Sequence, residues 1–253
     1  MINQLADTMS VIGLYTLTDI VSTIFLNTTK TYANINIRGD LMEFKRARTD
    51  KQIETRRQEI LNACAELFDQ GDIDSVHFKA IGEKTSFGRS TIYKYYATKE
   101  EVLIDLLLMD VIAWIEDVNA FTEKYTVLTK EEYCREFVRT YANNDRLLRL
   151  MSILYSLLEK NCSQEKLTEF KRNLIGFMEP LFMSVKKFFP DSSDEAIEAF
   201  LSTTSSFILG LYPETHLSEK QLIAIEQSGF KRKTLNFEDM CYRGFITLAS
   251  ILD

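Results

Sequence analysis

Four cysteines and two histidines are the residues from which a metal site, a disulfide or a nucleophile–base pair would be built here. Cys64, Cys134, Cys162 and Cys241 lie far apart, with no Cys-x-x-Cys pair, and His77 and His216 are isolated. Zinc sites and disulfide frameworks need closer ligand groupings or a secreted context, so these cysteines read as buried, reduced thiols and the compartment as cytosolic. No Gly-rich phosphate loop occurs, and neither histidine has a catalytic companion nearby, so no enzyme and no cofactor are expected. Chemistry of another kind is concentrated in Gly88-Arg89-Ser90-Thr91-Ile92-Tyr93-Lys94-Tyr95-Tyr96. Arg89 can bond a guanine edge through two N–H groups. Ser90, Thr91, Tyr93, Lys94 and Tyr95 offer hydroxyls and an ammonium to phosphates and base edges. Three tyrosines alone could equally be core and surface aromatics of a bundle, so the reading depends on what holds them.

The flanking pattern supplies that support. From Lys51 onward, Ile53, Ile60, Cys64, Leu67 and Phe68 recur at spacings that make one apolar helix face, and Gly71-Asp72 ends it. A short helix over about 78–84 would bury Phe78 and Ile81. After the break Thr85-Ser86-Phe87, another helix over about 88–95 would turn Ile92 and Tyr96 inward. Thr98 can cap the next helix, with Glu101 at the capping-box position. Two short helices packed on a longer one form a helix-turn-helix, whose second helix enters the major groove.

The run from Arg57 through Leu107 resembles the N-terminal domain of the TetR family of bacterial transcription regulators. The match is carried by Ile60-Leu61-Asn62-Ala63-Cys64-Ala65-Glu66-Leu67-Phe68, then Ile81-Gly82-Glu83-Lys84-Thr85-Ser86-Phe87-Gly88. It continues through Thr91-Ile92-Tyr93-Lys94-Tyr95-Tyr96 and Thr98-Lys99-Glu100-Glu101-Val102-Leu103. Three positions depart from the family pattern. Ser86 replaces the turn glycine, so the left-handed turn is either strained or differently shaped. Gly88 gives up the serine that would cap the reading helix. His77 stands where a threonine is usual, and is expected to be the weaker phosphate partner. The resemblance implies an all-α chain: residues 45–97 as the DNA-binding head and 98–253 as a helical effector and dimerisation domain. It also implies a double-stranded DNA operator as partner, a homodimer and a small-molecule effector. The DNA-contact set so expected is Arg48, Lys51, Arg56, His77, Lys79, Gly88, Arg89, Ser90, Thr91, Tyr93, Lys94, Tyr95 and Lys99.

Charge follows the same division. The chain carries −7, yet residues 45–99 hold 11 Lys/Arg and 8 Asp/Glu, a net of +3, leaving −10 for the remainder. A mildly basic head on an acidic body suits one face that meets phosphate. Lys45, Arg46, Arg48, Lys51, Arg56 and Arg57 fit either a solvated charge run or a flexible arm on DNA. Ahead of them, residues 8–26 are the candidate membrane segment, but Asp19, many Ser/Thr and the lack of a basic start argue against a span or a signal peptide. Residues 1–44 read as an extension or as the product of a misassigned start. Arg38-Gly39-Asp40 can be encoded by a purine-rich ribosome-binding sequence just ahead of a start at Met42.

Nine glycines and three prolines in 253 residues leave few turn residues, which favours long helices throughout. Helices are expected from 98 to about 121, over 130–142 with Thr129 and Glu132 as a capping box, and over 145–160. Further ones are expected over 163–188 with a kink at Pro180, over 193–211 opened by Ser192 with Glu195 and ended by Tyr212-Pro213, and from Asn236 to about Leu252. By the resemblance, segments 193–211 and 236–252 pair with their twins, through Phe200, Phe207, Leu211, Met240, Phe245 and Leu248. Small residues such as Ser202, Thr203 and Gly210 would allow close approach. An effector cavity between the fourth and eighth helices would be lined by Trp114, Tyr141, Tyr155, Phe177, Met178, Phe182 and Phe207, though aromatic residues at such spacing also make plain core. The function expected is that of a ligand-relieved repressor, with a DNA-associated scaffold or a membrane-tethered regulator as alternatives.

Overall fold

Capping side chains set where most of the helices begin. The computed structural model describes the backbone of residues 40–71, 73–233 and 235–253, with side chains from residue 51 on. The apolar stretch 8–26, most of the segment on which a start at Met42 turns and the side chain of Arg48 lie outside the described residues. Helix α1 runs Asp40–Gln70, so the basic segment from Lys45 has helical backbone. A short 3-10 turn, Ile73–Ser75, leads to α2 (Phe78–Glu83) and α3 (Arg89–Ile92). Then come α4 (Lys99–Lys124), α5 (Lys130–Ala142) and α6 (Asp145–Ser152). A π-helical turn, Leu154–Leu158, and a 3-10 turn, Glu159–Asn161, connect to α7 (Gln164–Phe188). Helices α8 (Asp194–Thr215), α9 (Glu219–Ser228) and α10 (Phe237–Leu248) complete the chain with a last 3-10 turn. No strand occurs among the described residues, and none of their helices is long and apolar enough to cross a membrane.

The Thr129–Glu132 capping box is present in full, and Thr98 and Asn236 cap α4 and α10. At α8 the cap is Ser193, one residue later than expected, because Ser192 is 1% exposed and pairs with the backbone of Asp253. Pro213 does not end α8 either. It lies in the last turn, where its missing N–H costs one bond to the Leu209 carbonyl. Thr215 and His216 then bond the carbonyls of Leu211 and Tyr212, and the helix closes at Thr215. The expected helix over 145–160 is broken. It is α-helical to Ser152, and the carbonyl of Ile153 then accepts from both Leu157 and Leu158 as the chain widens into the π turn.

Helices α1, α2 and α3 close around Ile60, Cys64, Phe68, Val76, Ile81 and Ile92, all at most 3% exposed. Burying Ile92 alone contributes about 1.5–3 kcal/mol. Helix α4 starts against this head and crosses into the body, where α7 packs along it and α5, α8 and α10 form a second layer. Tyr133, Phe137, Phe200 and Phe245, none more than 1% exposed, are the centre of the body.

Candidate DNA-reading surface and effector cavity

The α2–α3 pair is held by bonds that compensate for two of the three unusual residues, His77 and Ser86. His77 caps α2: its Nδ1 accepts from the Ala80 N–H at 3.0 Å. In the neutral ring this places the remaining proton on Nε2, as a donor on an exposed side chain. The imidazole therefore caps the helix as a hydroxyl would, while Nε2 stays free to meet a phosphate. Ser86 is not strained, since no non-glycine residue among those described has positive φ. Instead the Glu59 carboxylate on α1 accepts from the Ser86 backbone N–H and from its hydroxyl, the latter at 3.0 Å. Thr85 adds a bond to the Phe87 carbonyl at 2.6 Å. Gly88 starts α3 in extended backbone with no side-chain cap. Gly82 permits the tight crossing, because a Cβ there would lie 2.9 Å from the Arg89 backbone nitrogen.

Helix α3 is shorter than expected. It ends at Ile92, and Tyr93–Tyr95 continue as turn, held by Lys94 N–H to Thr91 and Tyr95 N–H to Ile92. Ile92 and Tyr96 are buried, and the Tyr96 hydroxyl donates to Asp105 at 2.9 Å. Gly88, Arg89, Ser90, Tyr93 and Lys94 are exposed together, while Thr91 and Tyr95 are half-buried. Tyr93 leans edge-on against Phe78, 4.8 Å between centroids. Lys51, Arg56, His77 and Lys79 are exposed on α1 and around α2, with Lys79 3.9 Å from Glu83. Arg56 lies 5.8 Å from the Phe87 ring centroid. Lys99 stands apart: its ammonium donates to the Ile73 carbonyl at 2.9 Å and ties α4 to the head.

A second set of contacts, which sequence reasoning missed, joins head to body. On α6, Arg146 reaches Asp110 of α4 at 2.6 and 2.8 Å and Asp69 near the end of α1 at 2.7 Å. These carboxylates hold the guanidinium well above its ordinary pKa, the hydrogen bonds to Asp110 first. Arg149 donates to the carbonyls of Phe68, at 2.9 Å, and Gly71, at the C-terminal end of α1. Its guanidinium also lies 4.3 Å from the Phe68 ring centroid. Glu101 is the other tie, accepting from Ala97, at 2.8 Å, and from Ser163. Burial opposes its ionised form, but the bonds from Ser163 and Ala97 and the charge of Lys166 outweigh it and hold the carboxyl below the usual value. These partners lie up to 81 residues apart in sequence, so no local pattern announces them.

A cavity of about 400 Å³ opens in the body between α4, α5, α7 and α8, with Met151, Leu154 and Tyr155 from α6 and the π turn on its wall. Trp114, Tyr141, Tyr155, Phe177 and Met178 line it as expected. Phe182 and Phe207 do not. Phe182 packs against the core, and the Phe207 ring lies over Gly244 of α10, where a Cβ would meet it at 2.3 Å. Sequence reasoning missed Phe170, Leu174 and Leu181, although with Phe177 they form one stripe of α7 at helical spacing. Of the expected dimer residues, Phe200, Leu211 and Phe245 are at most 5% exposed and complete the core of their own chain, while Phe207, Met240 and Leu248 are half-buried. The outward face of α8 carries instead Ala199, Ser202, Thr203, Ser206 and Gly210. Burial pushes the Cys64, Cys134, Cys162 and Cys241 thiols up to about 12, and no group of three or more metal-binding side chains occurs among the described residues.

Two family models match the chain. Residues 60–106 match the model described as bacterial regulatory proteins, tetR family, and residues 108–250 match that of the tetracyclin repressor-like C-terminal domain. Among solved structures, a TetR-family transcriptional regulator from Mesorhizobium loti superposes with a TM-score of 0.52 at 12% identity, covering 78% of this chain and 96% of that one. The fatty acid degradation regulator of Bacillus halodurans gives 0.50 at 14% identity, covering 78% and 99%. At such identities the likeness is one of fold. A search of curated proteins returned no match.

Proposed function

Because the chain belongs to the TetR family of bacterial transcription regulators, we propose that it is a repressor which binds a two-fold symmetric operator as a homodimer and is released by a small-molecule effector. The observation that carries the DNA-reading half is the partition of one short segment: Ile92 and Tyr96 are buried while Arg89, Ser90, Tyr93 and Lys94 face outward together. Anchored residues fix the register, and the exposed ones supply a guanine-reading guanidinium, hydroxyls and a phosphate-binding ammonium. His77 Nε2–H and Lys79 add donors beside them for the backbone. In a dimer, two such segments one DNA turn apart would enter successive major grooves.

The effector-relief half rests on α6 and the π turn after it. This segment puts Met151, Leu154 and Tyr155 on the cavity wall and, through Arg146 and Arg149, holds the end of α1. A ligand that displaces the wall therefore pulls on the head, and π turns recur at functional positions. A few kcal/mol of differential affinity between the two head positions suffices to release an operator. The test is DNA affinity with and without a cavity ligand. A ligand that occupies the cavity and leaves operator affinity unchanged removes effector relief while leaving DNA reading in place. Absence of sequence-selective binding removes the repressor and favours a scaffold acting through protein partners.

A further inference from the structure

The cavity wall is uniform in one respect: no Asp, Glu, Lys, Arg or His contributes to it. Its buried polar groups are Trp114, Tyr141 and Thr204. Trp114 Nε1–H already donates to Thr140 at 2.8 Å, and the Thr204 hydroxyl to the Phe200 carbonyl at 2.8 Å. Tyr141 differs. It is 3% exposed and its ring lies tilted at 34° to that of Trp114, 4.6 Å between centroids, yet its hydroxyl has no hydrogen-bond partner among the described residues. Among the described residues only Arg57 Nε is a fully enclosed polar side-chain atom without a partner, so the unpaired Tyr141 hydroxyl borders open space, where an acceptor placed in the cavity can take its hydrogen bond. Burial also holds the phenol protonated far above neutral pH, as a donor. Lys171, 5.4 Å from the ring of the lining residue Tyr155, is paired with Glu159, so an anionic head group beside it would meet a neutralised charge.

We infer that the effector is an uncharged, predominantly apolar molecule with one hydrogen-bond acceptor, held by its apolar body among Phe170, Leu174, Phe177 and Leu181 and by its acceptor on the Tyr141 hydroxyl. This rests on the reading of the cavity as the effector site. A formal charge would have to be desolvated without a counter-charge on the wall, which costs far more than one hydroxyl returns. The ligand class is thus selected by what the wall lacks as much as by what it offers.

Trp114 is the single tryptophan of the chain and lines the cavity, so its emission reports occupancy directly in the full-length protein without DNA. The experiment titrates it with decanamide, decanol, decanoate and decyltrimethylammonium below their micelle concentrations. Saturable changes are expected for the two neutral probes, with decanoate and the ammonium needing at least about tenfold higher concentration. Tyr141→Phe should weaken decanamide by about three- to tenfold. Leu174→Trp, on a half-buried wall position, adds bulk to the cavity and should remove the saturable response at position 114, read against the added tryptophan by a Trp114→Phe control. Equal or tighter binding of either charged probe, or no saturable response to any probe, overturns the inference. So does a Tyr141→Phe protein of unchanged melting temperature that binds decanamide like the parent. None of these readouts depends on DNA, so their failure is separable from failure of operator binding.

Discussion

At the scale of single residues, the head shows how a departure from a pattern is absorbed by a partner elsewhere. Ser86, Gly88 and His77 are visible in the sequence as departures. The remedies at Ser86 and His77 are not, because Glu59 stands 27 residues from Ser86 and the capping use of an imidazole depends on its rotamer, while Gly88 leaves its helix uncapped. Replacing His77 by Ala should destabilise the protein by about 1 kcal/mol, the usual loss for a capping side chain, and His77→Asn should recover most of it. Thermal unfolding checks this, and equal melting of His77→Ala and parent would contradict it. Arg89→Ala should cost about 1–3 kcal/mol of operator affinity and relax preference at one base position. Lys94→Ala should weaken binding to all sequences and lower the salt slope by about one. Parent-like binding by Arg89→Ala would mean the exposed face does not read bases, and an unchanged slope would remove Lys94 from the phosphate contacts.

At the scale of elements, α4 and α6 are where head and body are joined. Most helices were legible because caps and periodicity are local: α5 and α7 fall within a residue of their expected bounds. The π turn was not, since the widened bonding at Ile153 answers to what α6 must reach on both sides. Arg149→Ala should bind a neutral cavity probe within about twofold of the parent but lose most of the probe-induced release from DNA, since hydrogen bonds to the end of α1 are its link to the head. Anisotropy with and without probe decides, and full release in the variant would exclude this link. Glu101 gives a pH signature. Its folded-state carboxyl is held below the usual glutamate value, so its contribution is complete above that value and is lost as pH falls through the folded one. Glu101→Gln should therefore flatten the acid side of the stability–pH curve. An identical acid limb in parent and variant would show that the ties to Ser163 and Ala97 do not contribute.

At the scale of the whole molecule, the sequence spoke clearly about composition and less clearly about partners. The basic head and acidic body follow from charge counts, and the all-helical build from scarce glycine and proline. An amphipathic stripe does not say which surface covers it, however. The resemblance places Phe200 and Phe245 at a second copy, yet both are buried in the core of their own chain. The small exposed residues of α8, Ala199, Ser202, Thr203, Ser206 and Gly210, are the surface on which two copies could approach closely. Thr203→Arg should turn a dimer into a monomer by light scattering, with unchanged helical circular dichroism and DNA affinity reduced by orders of magnitude. A parent already monomeric at micromolar concentration would contradict the dimer. The central claim, that two copies of the Arg89–Tyr95 surface read DNA sequence, is tested most directly by selection of bound duplexes from a random-sequence pool. Enrichment of a two-fold symmetric motif with half-sites about one helical turn apart, lost at one position in Arg89→Ala, is the result predicted. A pool that emerges without any enriched motif would contradict it.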